Sequence, residues 1–127
     1  MEEKEILVVD DDIIAQNMLK STLTNAGYSV ILASNGEEGI TKAKEMLPRV
    51  IILDIMMPGL DGGEISSILK NDPKTSQIPV IFLSSLISEK EEKISSKKDL
   101  ISFLSKPYKR DKLLNEIGKY FRLGESK

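Results

Sequence analysis

The run from Val50 to Ile55 (VIILDI) is apolar at every position except Asp54, which stands near its end, just ahead of a Met-Met-Pro-Gly turn. A short apolar run bounded by turn residues reads as a strand buried on both faces, the kind found in the middle of a parallel sheet. Burying a lone carboxylate costs several kcal/mol, so Asp54 belongs at the mouth of that strand, facing solvent, a cation or a ligand. Met57, Pro58, Gly59 and Leu60 make the loop, and Asp61, Gly62 and Gly63 open the next helix. Taken alone, such an acid merely ends a strand and caps a turn, so its meaning depends on the residues that accompany it.

Four further apolar runs frame the chain: Glu5–Asp10, Tyr28–Ala33, Pro79–Ser84 and Leu100–Leu104. Between them lie helical patterns. Ile14, Ala15, Met18, Leu19, Leu23 and Ala26 predict an amphipathic first helix that Gly27 ends; Asn35 with Glu38 predicts a capped second helix buried along Ile40, Ala43 and Leu47 and stopped by Pro48. Ile65, Ile68 and Leu69 mark a third. Ser88 and Glu91 cap a fourth, whose only apolar interior residue, Ile94, predicts loose packing, and Leu113, Leu114, Ile117 and Phe121 mark a closing helix. Five strands alternating with five helices predict a doubly wound, flavodoxin-like α/β fold with a five-stranded parallel sheet in the order 2-1-3-4-5. Ligands bind such sheets at the carboxyl ends of the strands. Asp10 and Asp11, Asp54, Ser84 and Lys106 all fall on that one edge.

Asp10, Asp11 and Asp12 are consecutive. Asp12 is suited to cap the first helix, which accounts for one of them. Two carboxylates about 4 Å apart repel by about 4 kcal/mol at an effective dielectric near 20, so the cluster, with Asp54 added, calls for a divalent cation of the hard, oxygen-seeking kind such as Mg²⁺. Composition narrows the chemistry further. The chain has no histidine and no cysteine, which excludes imidazole catalysis, thiolates and disulfides. Its 127 residues fit one domain, expected to span residues 1–127, and its net charge of −2 argues against a nucleic-acid surface. The apolar runs are too short for a bilayer and the MEEKE start lacks a basic leader, so a cytoplasmic location is expected.

LVVDD, LDIMMPGLDG, VIFLSS and FLSKPY, in this order, resemble the motifs of the receiver domains of two-component response regulators, with 43 positions from Asp11 to Asp54, 30 more to Ser84 and 22 more to Lys106. The resemblance implies that Asp54 accepts a phosphoryl group from a phosphohistidine on a histidine kinase or histidine phosphotransfer protein. It implies Mg²⁺ held directly by Asp11, Asp54 and the Met56 backbone carbonyl, and through water by Asp10. Lys106 and Ser84 would contact the phosphoryl group, with Ser84 and Phe103 as switch residues. A cis bond before Pro107 and a loop role for Gly62 are implied too, as is an unknown downstream protein bound through the last two helices and last strand. The protein would be a switch rather than an enzyme. Ser85 and the Asp99–Leu100 pair depart from the family pattern around the fourth helix, which bears on the output face. Met56 and Leu86, at positions that influence hydrolysis in the family, carry no group able to orient water, so a long-lived acyl phosphate is expected. Three other readings share features with this one. Phosphatases of the haloacid dehalogenase type need an acid where Met56 stands, a flavin carrier would meet three repelling aspartates, and a pseudo-receiver would lack a site residue.

Overall fold

In the computed structural model the described residues are 5–54, 62–84 and 101–125. They form β1 (Glu5–Val9), α1 (Ile13–Asn25), β2 (Ser29–Ala33), α2 (Gly36–Met46), β3 (Val50–Asp54), α3 (Gly62–Lys70), β4 (Val80–Ser84), β5 (Ile101–Ser105) and a closing helix (Arg110–Glu125). The strands pair in parallel in the order β2-β1-β3-β4-β5, as expected. The expected helix around Ser88–Lys98 lies outside the described residues. No described helix is long and apolar enough to cross a membrane.

Alternation along each strand builds two cores, one on each face of the sheet. Ile6, Val8, Val50, Ile52, Ile81, Leu83 and Leu104 face α1 and the closing helix, through Leu19, Leu23, Leu113, Ile117 and Phe121. Leu7, Val9, Ile51, Leu53, Val80 and Phe82 face α2 and α3, through Ala43, Ile65 and Leu69. β3 is buried at every position because both of its faces are covered.

α1 differs from the face read in the sequence. Its buried positions are Gln16, Leu19 and Leu23, whereas Ile14 and Met18 are exposed, at 71% and 65%, with Ile13 beside them at 67%. The phase is set at the start, where Asp12 caps the helix by accepting from the Ile14 and Ala15 amides and Gln16 turns inward to polar partners. At the other end Ala26 is the cap and Gly27, at φ +98°, takes the left-handed position. The Gly27 amide donates to Thr24 and the Tyr28 amide to Leu23, a complete Schellman closure that delivers the chain into β2.

α2 is capped as expected, the Asn35 side chain accepting from the Glu38 amide at 2.8 Å while Glu38 accepts from the Ser34 amide. Its inward face, however, is Gly36, Gly39 and Ala43. Leu47, expected to be buried, is a left-handed cap at φ 46° and half exposed. The reason is spacing: a Cβ on Gly39 would stand 2.8 Å from a Val9 methyl, so the helix lies closer to β1 than any larger residue permits. In α3, Ile65 and Leu69 are buried and Ile68 is 39% exposed.

Candidate metal centre

Parallel strands in register bring their carboxyl ends to one edge, and the acids follow. Asp10 comes directly after β1, Asp54 is the last residue of β3, and these strands are neighbours with Val9 opposite Leu53. Asp10 is 1% exposed and Asp54 8%, while Asp11 is exposed. One carboxylate oxygen from each of Asp10, Asp11 and Asp54 lies within 4.8 Å of the others.

Lys106, just past β5, reaches across the end of β4 to place Nζ 3.6 Å from Asp54 Oδ2 and 4.0 Å from Asp10 Oδ2. Asp10 Oδ1 accepts from the Asp12 amide at 2.9 Å, but its buried Oδ2 receives no hydrogen bond among the described residues. Burial is the largest influence on the Asp10 carboxyl and pushes it above its ordinary value; the charges of Asp54 and Asp11 add to this, while the Asp12 amide and Lys106 oppose it. A buried carboxylate oxygen lacking a donor, beside two further acids, is the donor set of a hard divalent cation, and one lysine leaves three carboxylates under-neutralised.

The remaining expected residues occupy the same edge or flank it. Ser84, the last residue of β4, is 1% exposed, and its carbonyl accepts from the Lys106 amide at 3.0 Å. Phe103, on β5 opposite Phe82, stacks on that ring with centroids 5.2 Å apart. The Lys106–Pro107 peptide bond is cis. Gly62 is the first residue of α3. Met56, Ser85, Leu86 and the Asp99–Leu100 pair lie outside the described residues.

Two residues at the site escaped the sequence reading. Tyr108 follows the cis bond, with its hydroxyl raised above the ordinary tyrosine value by burial and by the Asp10 charge. Gln16 is buried beneath the acids and donates to the Asp10 carbonyl. Its signal was present: Gln16, Leu19 and Leu23 share one helical face, and a polar residue in a buried phase needs partners. Beside the site, Met18, Thr22, Lys106, Pro107, Tyr108 and Arg110 line a cavity of about 510 Å³.

Comparison with known proteins agrees with this arrangement. The sequence profile described as the response regulator receiver domain matches residues 6–118. Protein PilH of Pseudomonas aeruginosa is 34% identical over 112 residues, covering 88% of this chain and 93% of PilH. The alkaline phosphatase synthesis transcriptional regulatory protein PhoP of Bacillus subtilis is 34% identical over 105 residues, a match spanning 83% of this chain but 43% of PhoP. Among solved structures, the Vibrio cholerae chemotaxis protein CheY4 superposes with a TM-score of 0.81 at 28% identity, covering 94% of this chain and 99% of that one.

Proposed function

Because the chain belongs to the response regulator receiver domain family, we propose that it is a phosphorylation-driven switch whose phosphoacceptor is Asp54 and whose donor is a phosphohistidine on a histidine kinase or histidine phosphotransfer protein. The observation that carries this is the meeting of Asp10, Asp11 and Asp54 within 4.8 Å, with the Lys106 cation 3.6 Å from Asp54. Asp11, Asp54 and the Met56 carbonyl would hold Mg²⁺ directly, and Asp10 through water. When bound, Mg²⁺ neutralises the crowded acids and the charge on the transferring phosphoryl oxygens.

An Asp54 carboxylate oxygen attacks phosphorus as the donor's P–N bond breaks; the histidine leaves and an acyl phosphate remains. Asp10, buried beside Asp54, adds a third negative charge that the cation would offset. Lys106 moves its charge from the Asp54 carboxylate to a phosphoryl oxygen, a role suited to a point-like ammonium. Ser84, at the end of the neighbouring strand, donates its hydroxyl to the new group, and Phe103 on β5 turns inward as the edge of the sheet adjusts. That movement alters the face of β5 and the closing helix, where a downstream protein binds; the helix expected around Ser88–Lys98, read as part of the same face, lies outside the described residues. Receiver domains are signalling switches rather than turnover enzymes, which accords with a single acceptor carboxylate.

The test is incubation with acetyl phosphate and Mg²⁺, read by intact mass. Wild type is expected to gain one phosphoryl group and Asp54→Asn none; equal labelling of both would place the acceptor elsewhere.

A further inference from the structure

We infer that Gln16 is a positioning residue for the metal-binding acids, acting through the Asp10–Asp11 peptide unit. This rests on the reading that those acids hold Mg²⁺. Gln16 sits on the inward face of α1 and is 5% exposed. A buried amide left without partners is destabilising, so its location is decided by what it meets. Its Nε2 donates to the Asp10 carbonyl at 2.5 Å, to the Ala33 carbonyl at 3.0 Å and to Ser34 Oγ at 3.2 Å. An amide nitrogen has two hydrogens, so three acceptors share them.

The same Ala33 carbonyl accepts from the Asp10 amide at 3.1 Å. Asp10 is thereby gripped on both sides, its N–H by the end of β2 and its C=O by Gln16. The carbonyl of Asp10 and the amide of Asp11 belong to one planar peptide, so fixing the first fixes where the Asp11 side chain departs. Without that grip, repulsion among Asp10, Asp11 and Asp54 relaxes by turning the peptide, because the ladder between β1 and β2 ends here. The Gln16 side-chain nitrogen donates to the Asp10 carbonyl rather than to its carboxylate; it holds the backbone that presents Asp10 and Asp11.

The experiment is calorimetric titration of Mg²⁺ into wild type and Gln16→Met, which keeps volume but removes the donor, alongside urea unfolding of both without metal. Outer-sphere partners of metal ligands typically govern 10–100-fold in affinity, so Mg²⁺ binding is expected to weaken about tenfold in the variant. Phosphoryl uptake from acetyl phosphate should fall at limiting Mg²⁺ and recover at saturating Mg²⁺. Equal Mg²⁺ affinity with lowered stability would reduce Gln16 to a fold contact and overturn the inference. A second measurement avoids dependence on a folded variant: in wild type, the Gln16 side-chain amide resonances should shift as Mg²⁺ is added, and resonances unmoved at saturation would overturn it too. If wild type itself binds no Mg²⁺, the functional reading fails along with this one; if wild type and Gln16→Met bind it equally, only this inference fails.

Discussion

At the residue scale the most consequential group is the Asp10 carboxyl, buried with one oxygen lacking a hydrogen bond among the described residues. Burial raises it, so the folded chain keeps that proton to higher pH than the unfolded chain does. Stability attributable to Asp10 therefore falls as pH rises from the ordinary carboxylate value through the raised one. Asp10→Asn removes this loss while retaining an oxygen for the Asp12 amide. In Mg²⁺-free buffer the variant is expected to melt above wild type at neutral pH, with the gap narrowing on acidification and closing when Mg²⁺ is supplied to wild type. Equal melting points across pH in thermal scans would show that the buried charge is already neutralised. The acids, the hydroxyl and the lysine were legible because each follows an apolar run. Gln16 left only the fainter signal of sharing a helical phase with Leu19 and Leu23, since its partners come from the meeting of three chain segments.

At the element scale, the strands were plain in the sequence to within a residue, because an apolar run has no face to misassign when both faces are covered. Helix faces were harder. Six apolar positions in the first helix fit more than one stripe, and the choice fell to Asp12 and Gln16, whose polar partners only the assembled sheet provides. Ile14→Lys consequently tests the face: it should change stability by less than about 0.5 kcal/mol, as surface substitutions do, where a buried isoleucine would cost several. Denaturant unfolding decides between them. Gly39 makes the opposite case, since alanine there gains up to about 1 kcal/mol in helix propensity. Its methyl would nonetheless meet Val9 at 2.8 Å, and crowding of this kind costs about 1–3 kcal/mol, so Gly39→Ala is expected to be net destabilising and to be relieved by trimming Val9 to alanine. A stabilised single variant would mean that α2 can stand off from β1.

For the molecule as a whole, topology assembles a charged site from three separate stretches of chain, Asp10 and Asp11, Asp54 and Lys106, that span almost a hundred positions. Phosphoryl lifetime is a property at this scale, set by how water reaches the acyl phosphate. Met56 stands two positions after Asp54 and Leu86 two after Ser84, and neither side chain carries a group that can orient a hydrolytic water. On the proposed function the acyl phosphate should persist well beyond seconds in Mg²⁺, as a mass-spectrometric time course after donor removal would show. Decay within seconds would mean that another group activates water. β1 and β3, which carry the acids, are each paired with strands on both sides, whereas β5, which leads to Lys106, borders only β4. On the proposed function, insertions or altered contacts along that outer border can remodel what responds to the modified carboxylate while leaving the point of uptake intact. Descendants of such a chain thus have room to acquire new listeners without reinventing the donor chemistry.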